Sequence, residues 1–355
     1  SGDVQKCWKK QGHGTLDFRG GIVNSCDTVY YDIGYKFWDA AANKGKSATL
    51  LQDFLKRYRL DQTTGIDLNG ETSGRIPTPE WKQEYFRDTP EDAQWKGGDY
   101  TNMCIGQGYV LVTPMEIAVA YGAIASGNIV KPHLLKEVRN AGGDVALTYQ
   151  PQVLDTPDVS MADLAVVRNA LRGVTTDNEE IAKLFNDQGI DPDTVACKTG
   201  TTTDDRDRWF IGYTPYYVAG VWFGYSMPQS LSAFSASKAP SVVIWDEVMN
   251  QVQDLVEQRN QERGEALKSF VDAPGVISCT YCIDSGKVYG EACKADPRGH
   301  RVATGYFTLA TMPTEACDVH VMVDYDPGNG VANSGCPGTV KYSLLNIKGR
   351  NFPVQ

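Results

Sequence analysis

The stretch from Lys198 to Pro215, KTGTTTDDRDRWFIGYTP, decides the fold. Its second half, RWFIGY (residues 208–213), is rich in aromatic and β-branched residues. After Thr214-Pro215 the run YVAGVWFGY (217–225) has the same character, so the two predict a β-hairpin. The short apolar run DTVACK (193–198) predicts one more strand leading into Lys198. Lys-Thr-Gly on a strand sets an ammonium, a hydroxyl and a bare backbone in a row. Lys198 can hold a carboxylate, and Thr199 and Thr201 can add hydroxyl hydrogen bonds. Gly200 lets an extended peptide approach the strand edge. A Lys-Thr-Gly tripeptide recurs by chance, so its weight depends on what surrounds it.

Working outward, helices are announced by their caps. Thr113-Pro114-Met115-Glu116 combines a capping Thr, Pro at the first helical position and Glu three residues after the cap. Ile117, Tyr121, Ile124 and Ala125 follow at helical spacing, and Gly127 predicts the stop. A second helix is expected from Ser160, with Asp163 in the capping-box position and an end near Gly173. A third is expected from about Ser241, burying Ile244, Trp245, Val248 and Val252. A fourth follows Ser47, with Leu50, Leu51, Phe54, Leu55 and Tyr58 on its apolar side. Residues 71–96, with Pro77, Pro79 and Pro90, read as an exposed connection. Helices with a strand cluster late in the chain predict an α+β fold, an antiparallel sheet flanked by helices with a mostly helical subdomain. A polar stretch from Arg259 to Lys268 meets a Cys-bearing tail, which places a boundary between residues 1–258 and 259–355.

The 355 residues are 41% hydrophobic and 22% charged, enough apolar material for a sizeable core and against global disorder. A net charge of −10 disfavours nonspecific nucleic-acid binding. No apolar run is long enough to span a membrane, and no signal peptide opens the sequence. Of nine cysteines, Cys279, Cys282, Cys293, Cys317 and Cys336 crowd the C-terminal quarter. Cys279 and Cys282 form a C-x-x-C without a second well-spaced pair, so disulfides are expected there rather than metal. His13, His133, His300 and His320 stand apart and read as structural or surface residues, and Trp8, Trp38, Trp81 and Trp95 as packing.

Three blocks occur in order: CWKKQGHGTLDFRGGIVNSCD (7–27), WKGGDYTNMCIGQGYVLVTPMEIAVAYGAIASGN (95–128) and KTGTTTDDRDRWFIGYTPYYVAGVWFGY (198–225). Together they resemble the transpeptidase domain of penicillin-binding proteins, most of all the monofunctional class B type that serves cell elongation. The resemblance runs from residue 4 to about 255. The tail, with CIDSGKVYGEAC and MPTEACDVH, is similar to a C-terminal extension found on some such proteins.

The resemblance implies a penicillin-binding-protein or serine β-lactamase-like fold and a peptidoglycan D,D-transpeptidase. Family members carry Ser-x-x-Lys, Ser-x-Asn and Lys-Thr-Gly. The first serine attacks a D-Ala-D-Ala stem peptide, and penicillins trap the acyl-enzyme. Carried over, Lys198, Thr199 and Gly200 match the third motif, and Thr201 offers its backbone N–H to the oxyanion hole. Ser25 matches the serine of the second motif and relays a proton with Lys198. Position 27 is Asp where the family has Asn, which adds a charge and removes a donor from the substrate-binding site. Gly106-Gln107-Gly108 is expected to be a structural turn, and Asp207 a turn residue. No Ser-x-x-Lys precedes Ser25. The sole example, Ser235-Ala236-Ser237-Lys238, follows Lys-Thr-Gly and is in the wrong order. The nucleophile is therefore expected upstream of this chain, with the N-terminal part of the fold missing and the chain alone inactive. The implied partners are the stem peptide, β-lactams and a glycan polymerase of the elongation machinery, with no nucleic acid, no cofactor and no metal. The implied location is the extracytoplasmic face of the bacterial cell membrane, with the anchor outside this chain. Two other readings are a non-catalytic fragment or pseudoenzyme that binds cell-wall peptides or β-lactams, and a serine β-lactamase.

Overall fold

The computed structural model describes residues 5–234, 239–270, 277–299, 301–328, 330–331 and 337–345. It divides into two compact units. One comprises residues 1–12 and 21–272, the other residues 13–20 and 273–355. The Ser-x-x-Lys at 235–238, His300 and Cys336 lie outside the described residues.

Helices α1 (Phe18–Val23), α2 (Asp27–Asn43), α3 (Leu50–Lys56), α4 (Pro79–Tyr85), α5 (Pro90–Ala93), α6 (Gly97–Cys104) and α7 (Pro114–Ser126) come first. Four short strands follow: β1 (Ile129–Val130), β2 (Glu137–Arg139), β3 (Val145–Thr148) and β4 (Val153–Asp155). They pair as two small antiparallel ribbons, β1 with β4 and β2 with β3. Then come α8 (Met161–Thr176), α9 (Glu179–Gln188), β5 (Ala196–Thr201), β6 (Asp207–Tyr213), β7 (Val218–Gly224) and α10 (Pro240–Arg263).

The Thr113 capping box forms as its sequence predicts. The Thr113 side chain accepts from the Glu116 N–H, Pro114 opens α7, and Gly127 closes it at φ 88°. Glu116 does more than cap. Its side chain is fully buried. Its Oε1 accepts from the N–H groups of Asp61 (3.1 Å), Gln62 (3.3 Å) and Gly74 (2.9 Å), and its Oε2 from Thr113 N–H (2.6 Å). One carboxylate thus pins two loop segments to the start of a helix. The segment 71–96 is less exposed than its composition predicts. Ile76 and Pro77 are buried, and the Lys82 ammonium sits inside, donating to both Asp99 oxygens at 2.7 and 2.8 Å. Helices α2 and α6 cross closely at Gly34, where a Cβ would stand 2.8 Å from the Thr101 Cα.

The sheet β5-β6-β7 is antiparallel, with β6 in the centre. Helix α10 packs on β6 and β7, α7 on the same two strands, and α8 on β5. The main core gathers where they meet. Phe210 of β6 lies 5.1 Å from Trp245 of α10 and 5.9 Å from Phe185 of α9, ring centre to ring centre. Gly212 makes room for this, since a Cβ there would strike the Trp245 ring at 2.7 Å. The indole N–H of Trp245 donates to the Ala219 carbonyl, 3.0 Å away, tying α10 to β7. Helix α10 runs unbroken past residue 258 to Arg263, and Gly264 (φ 65°) ends it.

The second unit holds β8 (Ile277–Cys282), α11 (Glu291–Lys294), β9 (Val302–Phe307), β10 (His320–Asp326), β11 (Gly330–Val331) and β12 (Val340–Leu345). Strand β8 pairs with β9, and β10 lies between β11 and β12. Among the described residues the tail disulfides expected from composition do not form. All eight cysteines among the described residues are free thiols.

Candidate active site

The strand that carries Lys-Thr-Gly lies three residues later than its apolar run predicts. Residues 192–194 form a 3-10 turn, started by the Asp191 side chain accepting from Asp193 N–H. The ladder then runs from Ala196 opposite Tyr213 to Thr201 opposite Arg208. Lys198, Thr199, Gly200 and Thr201 therefore all lie within β5, whose burial falls from the fully buried Ala196 to the exposed Thr201. Among the described residues, β5 is hydrogen-bonded on one side only, to β6, so its other edge is open.

The far end of the hairpin is braced. Asp207 receives the Thr202 hydroxyl (2.8 Å) and the Trp222 indole N–H (2.9 Å), which tie it into the β5–β6 turn. Arg208 grips Asp205 with two hydrogen bonds (2.7 and 2.5 Å) and donates to the Phe234 carbonyl. The Thr203 hydroxyl lies 3.3 Å from Gln107 Oε1, in the turn bounded by Gly106 (φ 71°) and Gly108 (φ 74°). That turn holds the β5–β6 connection in place, a role its glycine pattern alone does not reveal.

Ser25 arrives from the opposite end of the sequence. It sits in the turn between α1 and α2 at φ 48°, in the left-handed region, with its N–H on the Ile22 carbonyl (3.2 Å). A non-glycine residue held there costs about 1–3 kcal/mol and needs support from its surroundings. Support comes from Cys26 N–H on the Gly21 carbonyl (2.9 Å) and from the Trp8 indole N–H on the Ser25 carbonyl (2.9 Å). The result aims the hydroxyl at β5. The Lys198 ammonium donates to Ser25 Oγ across 173 positions of sequence, and also to the Thr199 carbonyl at 3.0 Å.

Burial drives the Lys198 pKa down, and the Asp27 carboxylate offsets part of that effect. The neighbouring Cys197 stays a thiol, its pKa pushed up to about 12 by burial. Asp27 is the first residue of α2, where a carboxylate favours the helix dipole. One of its oxygens accepts from Trp8 N–H at 2.9 Å. Trp8 is thus no packing residue. It is 61% exposed and works through its two N–H groups, a role that apolar patterning does not signal. Trp38 and Trp95 do pack, against the cluster of Leu51, Ile76, Tyr100 and Met103, and Trp81 stacks on Tyr85 with Arg75 over its ring.

A hydroxyl bound to a partly desolvated lysine can pass a proton, and an open strand edge can pair with an extended peptide. Comparison with known proteins gives the family. Residues 1–250 match the penicillin binding protein transpeptidase domain. The chain belongs to this family. Residues 273–322 match the C-terminal domain of penicillin-binding protein 1A. Among curated relatives, the peptidoglycan D,D-transpeptidase MrdA of Haemophilus influenzae is 31% identical over 59% of this chain and 32% of its own length. MrdA of Escherichia coli K12 is 32% identical over 55% of this chain and 28% of its own. The chain spans about a third of the length of these relatives. Two solved structures share the fold: penicillin-binding protein 1A from Haemophilus influenzae (TM-score 0.55, 15% identity, 85% of this chain and 41% of that one) and penicillin-binding protein 2B from Streptococcus pneumoniae (TM-score 0.52, 18% identity, 68% and 39%). The α+β architecture expected for a transpeptidase domain is the one observed.

Proposed function

We propose that this chain supplies the substrate-holding and proton-relay part of a serine D,D-transpeptidase that cross-links peptidoglycan stems and is trapped by β-lactams. The observation that carries this is the Lys198–Ser25 hydrogen bond beside the open edge of β5. In this reading a stem peptide ending in D-Ala-D-Ala lies along β5. Its terminal carboxylate meets Lys198 and the Thr199 hydroxyl, and Gly200 permits close approach. A serine of a Ser-x-x-Lys motif, its proton taken by that motif's lysine, attacks the penultimate carbonyl, whose oxygen is held by the Thr201 N–H and the nucleophile's own N–H. The C–N bond breaks, the Ser25 hydroxyl passes a proton to the departing amine of D-Ala, and Lys198 reprotonates Ser25. An amine from a second stem then attacks the ester, gives its proton back through Ser25 to Lys198, and the Ser-x-x-Lys lysine reprotonates the departing serine. The donor peptide belongs to the cell wall, outside the cytoplasmic membrane, and a glycan polymerase supplies the strands to be joined.

The test compares two proteins exposed to a fluorescent penicillin and weighed intact. One is this chain. The other is this chain joined to the Ser-x-x-Lys segment of a family member. The chimera should gain one acyl adduct, at a rate that falls about a hundredfold on Lys198→Met. This chain alone should gain none. A folded chimera that takes up no penicillin overturns the transpeptidase reading. An adduct at Ser25 overturns its role as relay.

A further inference from the structure

In the second unit four side chains meet that sequence spacing leaves apart: Cys282 at the end of β8, Cys293 in α11, Cys317 in the loop before β10, and His320 at its start. Their three sulfurs and one ring nitrogen all lie within 4.8 Å of one another. The Cys282 and Cys317 sulfurs stand 3.3 and 3.4 Å from the same atom, His320 Nδ1. A tetrahedral zinc ion with Zn–S of about 2.3 Å and Zn–N of about 2.0 Å sets its ligand atoms ~3.5–3.8 Å apart, close to this spread. We propose that Cys282, Cys293, Cys317 and His320 form a closed structural zinc site that holds the second unit together.

Three further observations support this. First, the other nitrogen of the histidine is already engaged. His320 Nε2 lies 2.9 Å from Asp296 Oδ2 and 3.2 Å from Asp284 Oδ2, so it carries the proton and Nδ1 presents its lone pair to the sulfurs. A carboxylate behind a ligating histidine is the usual outer partner of a zinc site. Both carboxylates are themselves clamped, Asp296 by Arg298 (2.7 Å) and Asp284 by Arg298 (2.8 Å) and Arg301 (2.6 Å). Second, the loops are stitched so that the ligands face inward. Cys282 and Lys287 close a tight loop (Cys282 N–H to Lys287 carbonyl, 2.8 Å), Gly290 N–H points at the Cys293 sulfur (3.4 Å), and Cys317 N–H bonds the Val288 carbonyl (2.8 Å). Third, the unit has almost no apolar core. Among its described residues only Tyr281, Cys282 and Cys293 are buried apolar side chains. Domains this small commonly rely on a metal or disulfides in place of a large core. With three thiols in one cluster, a single disulfide would leave the third sulfur and the imidazole buried beside it. A tetrahedral ion engages all four, and three thiolates with one imidazole select zinc over hard cations.

The test uses the full 355-residue chain, purified under reducing conditions from medium containing zinc. Elemental analysis and cysteine alkylation with peptide mapping are run with and without a chelator. Cys282, Cys293 and Cys317 should resist alkylation until zinc is removed, while Cys279 reacts throughout. Cobalt substitution should give the sulfur-to-cobalt charge-transfer and intense visible bands of a tetrahedral thiolate site. Cys293→Ser and His320→Ala should each abolish those bands or shift them strongly, and Cys279→Ser should leave them unchanged. The wild-type alkylation pattern keeps the proposal testable if a variant fails to fold. A disulfide between any two of the three cysteines, equal alkylation with and without chelator, or unchanged cobalt spectra in the Cys293→Ser and His320→Ala proteins would each overturn it.

Discussion

Removing the buried carboxylate of Glu116 tests how the helical half of the transpeptidase domain is held together. That carboxylate satisfies four backbone N–H groups, three through Oε1 and one through Oε2. Glu116→Gln keeps a carbonyl oxygen for one side of the site but turns an NH2 toward N–H donors on the other. Hydrogen bonds to a charged group contribute about 1.5–3 kcal/mol each, so losing the short Thr113 bond and the charge on the rest should cost about 2–4 kcal/mol. Glu116→Ala leaves four donors without a protein acceptor. At about 1–3 kcal/mol each, with water entering to recover part, it should cost more than about 4 kcal/mol, a large fraction of a domain's stability. Urea unfolding followed by tryptophan fluorescence reads this as a lower midpoint at unchanged slope. Glu84→Gln is the control, because Glu84 is a surface residue paired with Arg87 and should change stability by less than about 0.5 kcal/mol. If Glu116→Gln unfolds at the same urea concentration as the control, the carboxylate is not what joins these segments.

Gly34→Ala places a methyl carbon 2.8 Å from the Thr101 backbone and should cost about 1–3 kcal/mol, seen as a lower melting temperature; an unchanged one would mean that α2 and α6 shift apart freely. Asp246 is buried in α10, and burial lifts its pKa from 3.8 to about 6, with Glu247 adding to the effect. Its contribution is therefore fully present below the ordinary pKa and lost as pH rises through about 6. Asp246→Asn should flatten the melting profile over that window and raise stability at about pH 8, and a profile parallel to wild type would contradict this. Asp27→Asn keeps an acceptor for Trp8 N–H and removes one negative charge near Lys198. Calorimetric binding of a D-Ala-D-Ala peptide should tighten about threefold, the effect of one unit charge at ~6 Å in water. Equal or weaker binding would show that the site is built around the aspartate.

Much of this architecture is local and could be read from residue order. The Thr113–Glu116 capping box, the Ser160 cap and the 208–225 hairpin all appear where their residues place them. The Ser25–Lys198 meeting was expected from motif resemblance, and it forms. Other features depend on partners distant in sequence. Strand β5 reaches Thr201 because β6 offers a continuous ladder as far as Arg208, which no window around 193–198 contains. Trp8 looks apolar, but its N–H groups are the part in use. The tail cysteines read as disulfide material because Cys293 and Cys317 do not make a second well-spaced pair beside Cys279-x-x-Cys282. The pair Cys317-x-x-His320 was equally visible, and the fold enlists only one member of the first pair.

An unpaired strand border, such as the one proposed to take a peptide, is also a place where a second molecule of the same protein can dock. Natural sheets guard such borders with proline, bulges or charge. Along Ala196–Thr201 there is no proline, and Lys198 is the one charged side chain on the strand. Neutralising that lysine should therefore do more than weaken ligand capture. It should make concentrated solutions of the protein prone to self-association through this border.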